Sequence, residues 1–381
     1  MLFSCNDTEK HKKIKISNNH CAECYVGNSA GLWTGIEIRK IIVFVNQLLR
    51  QFPNVKVPVH FYFEGNTFID KLTYVFIECI CYYLVAKGHY VQIYLNVKPS
   101  IGIEGIASSP LLLLNNTKIS SVKKYPVKFA KDAYLKHYRR IVDARNVSSN
   151  VTGDIYTEID SCLKVFDLQD EFIDKVALTI SELVGNAIEH AKTDCLIDVD
   201  VTTPYRKEGE ENIRSYYGVN IVVLNFSPKL LGDDLKEKVI YAEDVTGRYS
   251  NVKEAYDFHS NYFSESYLED DFCNISAFQH KISGRKDIAN GVGGTGLTTL
   301  IKSLEKMSDN YRCYVITGSR CINFDHQFLE YNQDGWLGFN DNNDYFTSVP
   351  DSQLINECLI YMPGTAYNLN FVMKGEKIDG D

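Results

Sequence analysis

The chain has 381 residues, 45% of them hydrophobic and 23% charged, which is the composition of an ordinary globular protein. Its formal net charge of −9 gives no global attraction to phosphate backbones or anionic lipid, so nucleic-acid binding is not expected. No apolar run approaches the roughly 18 residues that span a bilayer, and the N-terminus lacks the apolar centre of a signal peptide. We therefore expect no membrane association, a cytoplasmic location and two domains.

Eleven cysteines are scattered through the sequence, an odd number that suggests reduced thiols rather than a disulfide framework. Cys21 and Cys24 form one CxxC motif, with Cys5 and His11 upstream. Structural zinc normally takes four such ligands, so this motif alone is a weak signal and leaves zinc binding open.

Residues 1–35 are predicted to be an N-terminal tail, and residues 36–146 a small α/β domain. Apolar spacing of three to four residues predicts helices, and alternation predicts strands. In chain order the predicted elements are helix Thr34 to Phe52, strand Val57 to Phe63, helix Thr67 to Lys87, strand Tyr90 to Val97, strand Leu111 to Leu114 and helix Val127 to Val142. The basic residues between Lys123 and Arg145 are expected to form the solvated face of a helix.

This first domain resembles the STAS domains of bacterial anti-sigma antagonist systems. The resemblance lies in the segments 60–63, 67–70 and 87–89. Where STAS regulators carry a phosphorylated Ser or Thr after the Asp, this chain has Lys71 after Asp70, so the resemblance does not imply a phosphorylation switch here. A generic α/β unit is the alternative.

Residues 146–153 are the best linker candidate, and residues 155–381 are predicted to form a second domain. Its predicted elements are helix Phe166 to Ala191, strands Cys195 to Thr203 and Gly218 to Asn225, a helical patch Lys253 to Phe263, a helix from Leu297 to Leu304, strands Tyr311 to Thr317 and Arg320 to Phe324, and a last strand Ala366 to Met373. Apart from that helical patch, the stretch 226–290 is polar and aromatic, and a connection of such length is usually functional or mobile. Residues 326–356 are an insertion rich in Asn and Asp.

Two motifs carry the chemistry of this domain. Glu182 and Asn186 are four residues apart on a predicted helix, so their side chains stack along one stripe. Such an amide can ligate Mg²⁺ beside a triphosphate, and such a carboxylate can orient or deprotonate a water molecule.

The second motif is a glycine loop that opens a helix. It comprises Gly291, Gly293, Gly294, Thr295, Gly296 and Leu297. The GxGxxG match to a dinucleotide fingerprint fails, because neither the preceding buried strand nor the later acid is present. Glycines and the positive end of a helix can nevertheless cradle phosphate oxygens.

The pair of motifs resembles the GHKL ATPase family, which includes gyrase, heat-shock chaperones, histidine kinases and mismatch-repair ATPases. The segment Glu182 to Ala187 matches its N box, 293–297 its second glycine box, and Pro363-Gly364-Thr365 the turn into its last strand. The resemblance is strongest to anti-sigma serine kinases and implies an α+β two-layer sandwich that binds ATP, with Asn186 on Mg²⁺, Glu182 as the catalytic base, and Thr365 and the glycine loop at the nucleotide.

One departure from the family pattern concerns adenine. Where the family carries an Asp at the end of a strand, this chain has Asn225, whose amide oxygen can still accept a hydrogen bond. The resemblance makes 226–292 a lid over the nucleotide, in which Arg285 or Lys286 would face the γ-phosphate.

These patterns predict a Mg²⁺-dependent ATPase that regulates a protein partner through lid closure. Two alternatives stay open: an anti-sigma-type protein serine kinase, and a non-catalytic module that senses nucleotide or acts as a scaffold. The sequence does not name the partner, and it leaves a homodimer open.

Overall fold

The computed structural model describes residues 13–18, 20–27, 31–64, 67–95, 109–115, 118–134, 136–205, 216–282, 296–308 and 313–374. It is a mixed α/β structure that contains one parallel and one larger antiparallel sheet. None of the described helices is long and apolar enough to cross a membrane.

The described helices are α1 (Gly35–Gln51), α2 (Lys71–Ala86), α3 (Leu111–Leu114), α4 (Ile119–Ala130), α5 (Val151–Leu163), α6 (Asp170–Asn186), α7 (Asp233–Leu235), α8 (Arg248–His259), α9 (Glu269–Ser276) and α10 (Gly296–Met307). The described strands are β1 (Ala22–Val26), β2 (Leu32–Trp33), β3 (Val59–Phe63), β4 (Thr67–Phe68), β5 (Val91–Leu95), β6 (Lys131–Tyr134), β7 (His137–Val142), β8 (Cys195–Thr202), β9 (Tyr216–Phe226), β10 (Tyr314–Asn323) and β11 (Ile355–Lys374).

Three sheets organise these strands. A parallel sheet has the order β1-β3-β5, and an antiparallel sheet has the order β10-β11-β9-β8-β7-β6, while β2 and β4 form a short pair. The predictions for α1, α2, β3, β5, β8, β9 and α10 are confirmed to within a few residues. Helix α1 begins where Thr34 and Glu37 form a capping box, which satisfies two backbone N–H groups at its start.

Several predicted elements are wrong. The segment 111–114 is a helix rather than a strand, and the predicted helix 127–142 ends at Ala130 and continues as the hairpin β6-β7. The region 143–165 contains α5, which the sequence did not indicate, and the predicted tail contains β1. The predicted strands 311–317 and 320–324 are one strand, β10, with register shifts around Gly318.

The antiparallel sheet is covered on both faces. Helices α5, α6 and α10 pack on one face, around Val199, Ile221 and Val223. On the other face, Leu196, Val222 and Leu224 belong to the same core as α1, α2 and α4. Strands β6 and β7, which were predicted to lie in the first domain, pair with β8 through β7. The two predicted domains therefore share a sheet and a core.

A buried cluster of charges lies between α2 and this sheet. Lys71 forms ion pairs with Asp198, at 2.5 Å, and with Asp200, while Arg139 pairs with both Asp198 and Glu78. All five side chains are at most 3% exposed. Arg139 therefore does not belong to the solvated helix face that was expected from the basic residues 123–145.

Asp198 is the centre of this cluster. Burial alone would raise the pKa of its carboxyl, but the positive charges of Arg139, Lys71 and His137 outweigh burial and hold the pKa well below its ordinary value of 3.8. His137 contacts it through Nε2 at 3.1 Å. The cluster therefore contains an ionised carboxylate with no access to water.

Cys21 and Cys24 do not converge on a metal site. Cys24 is buried in the core beneath the parallel sheet, where burial raises the pKa of its thiol to about 12, whereas Cys21 Sγ lies 3.5 Å from His60 Nδ1. Within the described ranges, no group of three or more His, Cys, Asp or Glu side chains is arranged to hold a metal ion. Cys5 and His11 lie outside the described residues.

We expect Asp198→Asn to lower the free energy of unfolding by about 3 kcal/mol, because it leaves Lys71 and Arg139 with too little negative charge in a buried site. Urea denaturation monitored by circular dichroism measures the change. Asp160→Asn is the matched control, since Asp160 pairs with the half-exposed Lys164 and such surface pairs contribute less than about 1 kcal/mol.

The same cluster gives a pH dependence. Because folding depresses the pKa of Asp198, its stabilisation is complete above about pH 4 and is lost as the pH falls further. Acid unfolding should therefore be steeper in the wild-type protein than in Asp198→Asn. Equal losses of stability in Asp198→Asn and Asp160→Asn would contradict the proposed role of the cluster.

Candidate functional site

Glu182 and Asn186 lie in the last turn and a half of α6, and both are half-buried. Thr179, seven residues before Asn186, lies on nearly the same side of the helix, because seven residues make about two turns. Thr179 Oγ1 is 3.1 Å from Ser303 Oγ of α10. Asn186 therefore lies on the stripe of α6 that faces α10.

Helices α6 and α10 run antiparallel. Lys306 lies in the last turn of α10, and Glu171 lies in the first turn of α6. The pKa of Glu171 is lowered mainly by its hydrogen bond to Lys175, and the nearby charge of Lys306 lowers it further. Gly296 is seven residues before Ser303, about 10 Å along the axis, and Asn186 is the same distance beyond Thr179. The N-terminus of α10 and the C-terminal turn of α6 consequently lie at the same end of the helix pair.

This arrangement brings the two sequence motifs together as far as the structure describes them. Gly296 opens α10 and Leu297 is partly buried against the core. The first turn of a helix has backbone N–H groups without intrahelical partners and carries partial positive charge, which favours an anion. Gly291, Gly293, Gly294 and Thr295 lie outside the described residues, as do Arg285 and Lys286.

Asn225 lies near the end of β9, close to the turn that follows α6. Its Nδ2 donates a hydrogen bond to Thr193 Oγ1 at 3.0 Å, and Thr193 lies only seven residues beyond Asn186. With the amide nitrogen directed to Thr193, the Oδ1 atom is the side of Asn225 that can accept a hydrogen bond from a ligand. Asn225 is 6% exposed.

Thr365 is the direct neighbour of Asn225 in the β9-β11 ladder. The preceding residue, Gly364, has φ +100°, and a Cβ there would lie 2.3 Å from the carbonyl oxygen of Asn225. A side chain at 364 would force β11 away from β9, so glycine is required for the contact. The motif Pro363-Gly364-Thr365 thus lies within β11, rather than before the last strand.

The predicted lid is, over its described part, a packed helical segment. Helices α8 and α9 pack against residues 326–350 of the insertion rich in Asn and Asp. His259 Nε2 lies 2.9 Å from the carbonyl oxygen of Tyr345, and the Tyr345 ring stacks on Trp336 at 5.1 Å. The two irregular stretches therefore form one aromatic-rich subdomain beside α10.

Several residues with a place at or near this site were not found from the sequence. Thr193 carries no motif and is identified only by its bond to Asn225. Arg248 and His280 lie in the subdomain next to α10, and His280 Nδ1 lies 3.3 Å from Thr298 Oγ1. Their separation in sequence hides this proximity, although the basic residues in otherwise acidic stretches were a visible signal.

The amide of Asn186 suits Mg²⁺ beside a nucleotide, and the glycine loop that would hold the phosphates lies outside the described residues. Mg²⁺ is commonly held by one or two protein oxygens together with substrate phosphates and water, so one amide oxygen from Asn186 is a sufficient protein contribution. Asn225 and Thr365 meet at the same end of the sheet as the C-terminal turn of α6. The polar groups of Asn225 and Thr365 therefore lie next to each other, near the segment that follows α6.

No protein-family profile, curated protein or solved structure is significantly similar to this chain.

Proposed function

We propose that this chain binds ATP with Mg²⁺ between α6, the start of α10, the end of β9 and the part of β11 that contains Thr365, in a GHKL-type site. The observation that supports the proposal most is the antiparallel pairing of α6 and α10, which puts Asn186 and the N-terminus of α10 at the same end of the helix pair. Asn186 and Gly296 are more than a hundred residues apart in sequence, so tertiary packing rather than local folding gives them this common position.

In this proposal each residue has a distinct role. Asn186 offers an amide oxygen to Mg²⁺, which would neutralise phosphate charge, and Glu182, one turn earlier, orients a water molecule and accepts its proton. Asn225 accepts a hydrogen bond from the adenine amino group through Oδ1, and the hydroxyl of Thr365 lies next to it. Hydrolysis or transfer of the γ-phosphate then alters the subdomain formed by 226–282 and 326–350.

The first part of the chain suits a regulatory role. We propose that its parallel sheet is a STAS-like unit and that α2 couples it to the ATPase sheet. In support of this, Asp70 accepts a hydrogen bond from Tyr314 Oη of β10 at 2.7 Å, and the backbone N–H of Leu72 donates to Asn368 Oδ1 of β11 at 3.1 Å. Lys71, between them, is buried in ion pairs, which argues against phosphate chemistry at this position.

Asn186→Ala should abolish most of the thermal stabilisation that Mg²⁺-ATP gives the wild-type protein, because the metal loses its protein ligand. At 100 times its Kd a ligand stabilises by about 2.7 kcal/mol, which is readily seen as a rise in Tm. Glu171→Ala is the control on the same helix, since Glu171 is exposed and pairs only with Lys175 among the described residues. Undiminished stabilisation in Asn186→Ala would exclude the Mg²⁺ site as described.

Glu182→Gln should leave Mg²⁺-ATP binding within a factor of a few and reduce phosphate release at least about 100-fold, since a positioned general base typically contributes that much. Steady-state phosphate release and calorimetric titration of the same preparation give the two quantities. Full phosphate release at unchanged affinity would show that Glu182 is not the base. A wild-type protein that binds ATP but releases no phosphate would favour the sensing module, and transfer to a serine of another protein would favour the kinase.

Asn225→Asp should increase the preference for ATP over GTP by about tenfold, because a carboxylate makes a stronger, charge-assisted bond to the adenine amino group. The Thr193 hydroxyl can turn to donate to the new carboxylate, so the local fold should survive. Competition of ATP and GTP for the wild-type and variant proteins measures the ratio. An unchanged ratio would mean that Asn225 does not contact the base.

A further inference from the structure

A cavity of about 390 Å³ lies on the flank of α10 that faces the helical subdomain. It is bounded by the start of α8, the turn after α9, α10 and the loop 331–335. Arg248, His280, Lys281 and Lys302 line it together with Thr298. This volume is within the range of about 300–1,000 Å³ that is typical of small-molecule sites.

The charges around this cavity are mainly positive. Arg248, Lys281 and Lys302 face one lining carboxylate, Asp334, in a chain whose net charge is −9. Lys281 and Lys302 form no ion pair with any carboxylate in the described part of the chain. Burial lowers the pKa of His280, and the charges of Lys281, Arg248 and Lys302 lower it further. The three cations therefore converge on the same space.

Arg248 is held in a fixed orientation. Its Nη1 and Nη2 donate to the carbonyl oxygens of Asp334 and Gly335, at 2.9 and 3.1 Å, and its guanidinium lies 3.9 Å from the centre of the Trp336 ring. Carbonyl oxygens and an aromatic face orient a guanidinium without cancelling its charge. The guanidinium is therefore already ordered by the fold before any ligand binds.

The neighbouring polar groups supply further donors. Asn332 Oδ1 accepts from the backbone N–H groups of Asp334 and Trp336, at 3.0 and 2.9 Å, which leaves its Nδ2 to donate elsewhere. Lys281 and Lys302 are exposed and carry three donors each. The lining thus has three cationic side chains and one carboxylate.

The cavity is separate from the proposed nucleotide site. Ser303 of α10 faces α6, whereas Lys302 and Thr298 are turned from Ser303 by about 100° and 140° around the helix axis. A ligand here would therefore contact a different flank of α10 from the one that faces α6.

We propose that this cavity is a second site, which binds a phosphate-bearing small molecule through Arg248, Lys281 and Lys302. A phosphate dianion matches several convergent cations and offers acceptor oxygens to the surrounding donors. The site is independent of ATP hydrolysis and of Mg²⁺.

The test is calorimetric titration of the full chain in EDTA, with ribose 5-phosphate as the probe and ribose as its uncharged counterpart. The background carries Asn186→Ala, which together with EDTA removes Mg²⁺ from the proposed nucleotide site, and the lysine variants below distinguish the cavity from that site. We expect saturable one-to-one binding of ribose 5-phosphate, no binding of ribose, and an affinity that falls with added salt. Lys281→Ala and Lys302→Ala should each weaken binding by about tenfold.

Lys306→Ala is the matched control, because Lys306 is exposed on the same helix but does not line the cavity. It should leave the affinity unchanged. Binding should also raise the pKa of His280, measured from its imidazole proton resonances and assigned with His280→Gln. Arg248 is not a suitable target, since its stacking on Trp336 makes the variant prone to misfold.

Three results would overturn the proposal. One is the absence of saturable binding of ribose 5-phosphate and of orthophosphate at millimolar concentration. Another is an equal loss of affinity in Lys302→Ala and Lys306→Ala. The third is much tighter binding of a phosphoserine peptide than of ribose 5-phosphate, which would assign the same cations to a protein partner. None of these results bears on ATP binding, which is measured with Mg²⁺ and with Asn186 intact.

Discussion

The ion pairs of Lys71 and Arg139 with Asp198 are the constraint on which the arrangement of the chain depends. They lie in a layer that would be apolar in most sheet-on-helix packings, and charges there must be matched because water cannot reach them. The ion pairs form only in certain orientations of the charged groups, so α2 can pack on β7 and β8 in few other registers. The hydrogen bonds of Asp70 and Leu72 to β10 and β11 fix the same end of the helix. The first part of the chain is thereby positioned on the back of the antiparallel sheet.

That position has a consequence for the opposite face. Successive residues of β9 serve different layers: Leu224 is buried in the core that contains α2, and Asn225, the next residue, bonds to Thr193 after α6. Because side chains alternate along a strand, a shift of β9 that relieves packing at Leu224 moves Asn225 as well. The sheet therefore connects the two halves of the chain directly. A shift of β9 can pass from one half to the other without movement of the helices.

The sequence was informative where local periodicity and burial agree, and misleading where pairing partners are distant. Helix α6 and strands β8 and β9 have clear apolar patterns, and the motif containing Glu182 and Asn186 lies on α6 as predicted. Strands β6 and β7 were mistaken for a helix because His137 and Arg139 look solvated until Asp198, about 60 residues later, is known to pair with them. Partners so far apart in sequence leave no local signal. The resemblance assigned both Asn225 and Thr365 to the nucleotide, but their direct pairing, like the bond from Asn225 to Thr193, could be recognised only in three dimensions.

The two irregular stretches illustrate a different limit. Both are rich in Asn and Asp, which are typical of loops, yet the aromatic residues among them, including Phe272, Trp336 and Tyr345, are buried together. Each stretch alone buries too little apolar surface to form a core, so the apolar residues show no period over most of its length. The joint core forms only when β10 and β11 bring the two stretches together. Because this core sets Trp336 under Arg248, the same packing that orders the stretches also orients a cation toward α10. Helix α10 therefore has positive groups on one flank and, at its N-terminus, the partial positive charge that every helix carries. The chain is acidic overall, yet it concentrates cations around α10. This arrangement suits one anion on the flank that carries the cations and another at the N-terminus of the helix.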